Sequence, residues 1–107
     1  MVARRKSELS EGFTKLLELM QRINFGRIEG LLMQDGQPIF DPPPAWVQSI
    51  KFSADNTSRP EIPMPDFDLR HEVLELFALL ARPGVSVRFV DIKHGLPFRA
   101  EVGEVGA

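Results

Sequence analysis

The chain has 107 residues, 43% of them hydrophobic and 26% charged, with a formal net charge of −2. That length supports one hydrophobic core without covalent staples, and the charge balance argues against a surface built throughout to neutralise phosphates. The absence of cysteine excludes disulfides, thiolate nucleophiles and Cys-ligated zinc together.

The N-terminal run Met1-Val2-Ala3-Arg4-Arg5-Lys6 is basic and leads into Ser7-Glu8-Leu9-Ser10-Glu11, so it lacks the apolar core of a signal peptide. No run approaches the roughly 18 apolar residues of a membrane span, and a cytoplasmic protein with no membrane association is expected. Leu9, Phe13, Leu16, Leu17, Met20 and Ile23 recur at helical spacing and place an apolar stripe along residues from about 8 to 24. Glu11 with Lys15 and Glu18 with Arg22 stand four apart with the acid first, the favourable orientation on a helix surface. Gly12 weakens the first turn of this helix, and Gly26 is its natural stop.

Beyond Gly26 the period changes. Arg27 to Gln34 reads as a strand, and Asp35-Gly36 as a hairpin turn, because a tight primed turn needs residues that tolerate positive φ. The return strand at Ile39-Phe40 is cut short by Pro42-Pro43-Pro44, which cannot donate to a sheet ladder. Six of the nine prolines lie between Asp41 and Pro65, so residues 41–65 read as an irregular connection. Inside it, Trp46, Ile50 and Phe52 share a face if the chain is extended, and Trp46, Val47 and Ile50 share one if it is helical. The extended form is the preferred reading.

The second helix carries Leu69, Val73, Leu76, Phe77 and Leu80 on one stripe, with Leu76 and Phe77 at its buried centre. Asp66 or Asp68 can cap its start, and Arg82-Pro83-Gly84 ends it. Val85, Val87 and Phe89 then alternate with Ser86 and Arg88, and Phe98, Ala100 and Val102 with Arg99 and Glu101, giving two strands of a second hairpin around His94-Gly95. Gly36 and Gly95 are both expected at positive φ.

The two halves match: an amphipathic helix, a glycine, a β-prone run, then Asp35-Gly36-Gln37-Pro38 in one and His94-Gly95-Leu96-Pro97 in the other. The paired glycines stand ten residues apart in the first half (Gly26, Gly36) and eleven in the second (Gly84, Gly95), and a β-bulge would supply the extra residue. The expected fold is one α+β domain over residues 1–107. Two helix-hairpin (αββ) units, residues 13–40 and 66–102, form a mainly antiparallel four-stranded sheet with two helices on one face. Disorder is expected in residues 1–7 and 103–107, where basic or Gly-rich ends have little to bury.

At Ile23-Asn24-Phe25-Gly26-Arg27-Ile28, followed by Gln34-Asp35-Gly36, the chain resembles the YezD-like family of short bacterial proteins. The resemblance covers residues from about 13 to 40 and ends at the triple proline. It implies a helix-plus-hairpin unit used as a small accessory or interaction protein, and it transfers no catalytic residue.

Residues that could carry chemistry are few. Asp66, Asp68 and His71 crowd the start of the second helix, where an Asp-x-x-His spacing could offer two metal ligands, although acids there are already favoured by the helix dipole. His94 lies in a turn near Asp91 and Lys93, where imidazole could act as a base or pH switch; Asp35 occupies the matching slot of the first half. No phosphate loop, nucleophile elbow or metalloprotease pattern is present, and no cofactor is implied. Arg88 and Arg99, with the basic tail Arg4, Arg5 and Lys6, could meet a nucleic acid. Strand alternation leaves Leu31, Met33, Val90 and Ile92 on the face away from the helices, unless a bulge flips the register. With Trp46 they are the expected interaction surface. The sequence therefore favours a non-enzymatic interaction module, a homodimer or the binder of a protein partner, over a nucleic-acid-associated regulator, and an enzyme ranks last.

Overall fold

The Ser10 hydroxyl accepts the Phe13 N–H at 3.3 Å and so starts α1, Glu11–Ile23. In the computed structural model, which describes residues 3–52 and 66–104, the helix stops at Asn24, two residues before the expected Gly26. Asn24 takes the positive φ of 63° and donates its N–H to the Met20 carbonyl. Gly26 is instead the first residue of β1, Gly26–Glu29.

Gly30, at φ 66°, then bends the chain out of the sheet. Past this bend, β2 (Leu32–Gln34) and β3 (Gln37–Ile39) pair only with each other, as a separate two-stranded ribbon around the Asp35-Gly36 turn. The preferred extended form of Trp46–Phe52 is present over its first part as β4, Ala45–Gln48. Helix α2, His71–Leu80, has Arg70 at its N-cap with no side-chain cap. The chain closes with the long hairpin of β5 (Val85–Lys93) and β6 (Leu96–Glu104), with His94 at φ 55° and Gly95 at 73° in its turn. Gly36 is likewise at 73°.

The described residues are thus α+β, with two α-helices and a four-stranded antiparallel sheet of order β4-β1-β5-β6. The sheet is not assembled from two hairpins. The first half contributes β1 alone, and the proline-rich connection contributes its edge, because Gly30 diverts the first hairpin into the ribbon. The ribbon packs on α1 where Gly12 leaves room for the Pro38 carbonyl, which gives that helix-weakening glycine a packing role.

Buried side chains from α1 (Leu16, Leu17, Met20, Ile23) and α2 (Val73, Leu76, Phe77, Leu80) form one core with the inner face of the sheet. Phe13 and Phe77 stack across it with ring centroids 4.6 Å apart. Leu31, Val90 and Ile92, expected on the far face, belong to this core, at 2%, 0% and 2% exposure, and Met33 is partly buried against it. Two irregularities explain the correction. Gly30 resets the alternation between Ile28 and Leu31, so both point inward. In β5 the register skips Arg88, pairing Val87 with Val102 and Phe89 with Glu101; this bulge moves Val90 and Ile92 inward and sends Phe89 and Asp91 outward. A second irregularity, between Asp91 and Ile92, passes over Phe98 in β6.

Residues 4–7, expected to be disordered, are instead tied to the body of the protein. Lys6 donates its backbone N–H to the Phe67 carbonyl, and Leu69 to that of Arg4, both at 2.9 Å, so residues 4–6 lie antiparallel to 67–69 around the Arg5–Asp68 bridge.

Candidate functional site

The sheet face opposite the helices is set by register. Across the four strands one outward row reads Val47, Arg27, Asp91, Arg99, and the next reads Ala45, Glu29, Phe89, Glu101. Arg27 Nε reaches Asp91 Oδ1 at 2.6 Å, and Arg99 Nη1 reaches Asp91 Oδ2 at 3.4 Å while its Nη2 meets Glu101 at 3.0 Å. Asp91 is 8% exposed and its charge is matched from both neighbouring strands. The hydrogen bond to Asp91 raises the Arg27 pKa above its ordinary value. Phe89 lies beneath both guanidiniums, whose central carbons are 3.9 Å (Arg27) and 5.2 Å (Arg99) from its ring centroid.

These two rows carry two arginines against three carboxylates, so the centre of the open face is not basic. The sheet arginine expected to face nucleic acid alongside Arg99 does not stand beside it. Arg88 occupies the bulge, and Arg99 opposes Asp91. In the basic tail, Arg5 is held by Asp66 and Asp68 at 2.8 and 2.7 Å, and the buried Lys6 ammonium meets Glu18 at 3.1 Å. Neither Phe89 nor Phe98 faces the core: Phe89 carries the guanidiniums, and Phe98 is exposed.

Apart from Leu32, Phe98 and Val102, the exposed large hydrophobics of the described residues lie at one margin of this face. Trp46, Val47 and Ile50 are 45%, 55% and 51% exposed and Phe52 is 92% exposed, all within the seven residues 46–52, which begin inside β4 and run past its end. Trp46 sits on the helix side, opposite Ile28, and Val47 on the open side, opposite Arg27. Trp46 is therefore the one residue of the expected interaction set that the fold leaves substantially exposed. Val47 escapes sequence reasoning, because its outward position depends on its pairing with β1.

The residues with metal or base chemistry are dispersed. Asp66 and Asp68 bind Arg5 rather than capping α2, whose N-cap is Arg70, and His71 pairs with Glu75 one turn along the helix. Among the described residues no group of three His, Asp or Glu side chains could hold a metal ion, and no helix is long and apolar enough to cross a membrane. His94 packs edge-on against Phe25, ring centroids 4.7 Å apart, and lines a cavity of about 380 Å³ with Asp68, Arg70 and Gln21. Gln21 carries no signal in the sequence, where it is one more polar helix residue.

Compared with protein-family models, curated proteins and solved structures, the chain finds no match among any of the three.

Proposed function

We propose that the protein is a non-enzymatic interaction module that binds a second copy of itself along the β4 edge of its sheet. The observation that carries this reading is the exposed run from Trp46 to Phe52 on that edge. Strand β4, Ala45–Gln48, contains no charged residue and no proline. The opposite edge, β6, also exposes Phe98 and Val102, but there they are interleaved with Arg99, Glu101 and Glu104, the charged guard by which sheet edges resist pairing. Antiparallel pairing of β4 with its own copy is self-complementary, as a two-fold interface requires, and it would remove Val47, Ile50 and Phe52 from water. The YezD-like resemblance over residues 13–40, an accessory unit without catalytic residues, belongs to the same proposal. A nucleic-acid role gains less support, because Arg5, Lys6, Arg27 and Arg99 already face carboxylates within the chain.

The test is the oligomeric state. Light scattering at high micromolar concentration should give a dimer for the wild type and a monomer for Val47→Lys; the wild type should melt higher there by mass action, and the two should melt alike once diluted below the dissociation constant, because Val47 lies outside the core. A wild-type monomer, or a dimer indifferent to Val47→Lys and Phe52→Lys, overturns the reading.

A further inference from the structure

We propose that the second copy joins β4 antiparallel about a two-fold axis at Val47, so that Trp46 of each copy exchanges backbone hydrogen bonds with Gln48 of the other. This register rests on the self-association proposed above and goes beyond it by naming which residues meet.

The backbone of β4 decides which residues can pair outward. Ser49 donates its N–H to the Phe25 carbonyl at 2.7 Å, and in the same register Val47 opposes Arg27 and Ala45 opposes Glu29. Residues that exchange bonds alternate along an antiparallel ladder with residues that do not, so Ala45, Val47 and Ser49 direct their N–H and C=O groups to β1. Those of Trp46 and Gln48 point to the free edge of the sheet. Only even-numbered residues can therefore bond to a second copy, and two opposed residues must share parity. The axis of an antiparallel self-pairing then falls on a residue and not between two.

The possible axes differ in what they pair. An axis at Ala45 sets Trp46 against Pro44, and one at Trp46 sets Gln48 against Pro44, which has no N–H to give. An axis at Gln48 sets Trp46 against Ile50, beyond the end of β4. An axis at Val47 needs only Trp46 and Gln48, both inside the strand, and each then gives and receives a bond. It also faces Val47 with its own copy in a non-hydrogen-bonded pair, where Cα atoms approach to about 4.5 Å. The exposed side chain at that position is covered by its like.

Charge selects the second copy as the occupant and fixes its direction. Within residues 41–52 the charged residues are Asp41 and Lys51, opposite in sign and at opposite ends. Antiparallel pairing brings Asp41 of one copy to the same end of the seam as Lys51 of the other, and does so at both ends. Parallel pairing would set like charge against like.

Single cysteines test the register, since the chain has none of its own. With oxidised glutathione as oxidant, Val47→Cys should form a disulfide-linked dimer on non-reducing gels at least about tenfold faster than Ala45→Cys, because a disulfide needs Cα atoms within about 7 Å. Ala45→Cys and Ser49→Cys should each stay unlinked alone and should link when mixed, because this axis opposes Ala45 to Ser49. Val47→Cys linking no faster than Ala45→Cys overturns the register, as does faster linking by Trp46→Cys or Gln48→Cys or an unlinked mixture. A wild type that is monomeric by light scattering overturns the self-association itself and this pairing with it.

Discussion

Asp66 shows how a single side chain can be read correctly as to chemistry and wrongly as to partner. An acid just before α2 has the composition of a helix cap, yet its carboxylate accepts the Ser7 backbone N–H at 3.0 Å and the Arg5 Nε–H at 2.9 Å. The partners lie about sixty residues away in sequence, where no local pattern can find them. The hydrogen bonds from Ser7, then the Arg5 guanidinium, hold the Asp66 carboxyl at about 2, below its ordinary 3.8. Because the folded-state pKa is the lower one, the stability this group contributes is whole above pH about 4 and is lost as the pH falls through about 2. Melting temperatures of Asp66→Asn, measured from pH 5 downward through that window, should therefore fall less steeply than those of the wild type. Parallel curves would show that the Ser7 and Arg5 contacts do not set this ionisation.

At the scale of elements, the legible features are the local ones. Both helices and the β5–β6 hairpin follow from apolar period and turn chemistry, and the bulge that the unequal glycine spacing asks for is found at Arg88. Strand pairing is not legible in the same way. The Gly26 and Gly36 of the first half look like the Gly84 and Gly95 of the second, but Gly26 is a site of close approach rather than a turn. A Cβ there would overlap the Val47 carbonyl oxygen and lie 2.8 Å from Ile23 Cγ2 and 3.0 Å from Gln48 Cα. The glycine is what lets β4 lie against β1 at the end of α1. Gly26→Ala should cost about 1–3 kcal/mol by overpacking and shift the Trp46 fluorescence as β4 lifts. Gly30→Ala meets no atom within 4 Å and is opposed only by its φ of +66°, so it should cost about 1 kcal/mol and leave Trp46 unchanged. Equal spectral changes in the two variants would refute the close-approach role of Gly26. The same long-range pairing decides the candidate surface, for Leu31, Val90 and Ile92 become core only through a glycine bend and a bulge that binary patterning cannot place.

Across the whole molecule, residues 4–6 and those leading into α2 hold one another. The N-terminal segment adds a short antiparallel pairing to 67–69, through two backbone hydrogen bonds and the ion pairs of Arg5. The pairing fixes Phe67, Leu69 and Arg70, which form one wall of the helix-side cavity, and it buries Lys6 with its ammonium on Glu18 of α1. Two forces could maintain this clasp, and their magnitudes differ. The Arg5 ion pairs are exposed to solvent and screened by salt, conditions under which such pairs contribute little. The backbone hydrogen bonds cannot be replaced internally once the segment leaves, and Leu69, now buried, would meet water. Arg5→Ala, or added salt, should accordingly leave the melting temperature nearly unchanged, whereas deleting residues 1–6 should lower it by at least about 4 °C. The deletion should also strip the Leu69 amide of its hydrogen-exchange protection while the core amides of α1 keep theirs. If Arg5→Ala matched the deletion in both measurements, the ion pairs rather than the strand pairing would be the element that joins the start of the chain to α2.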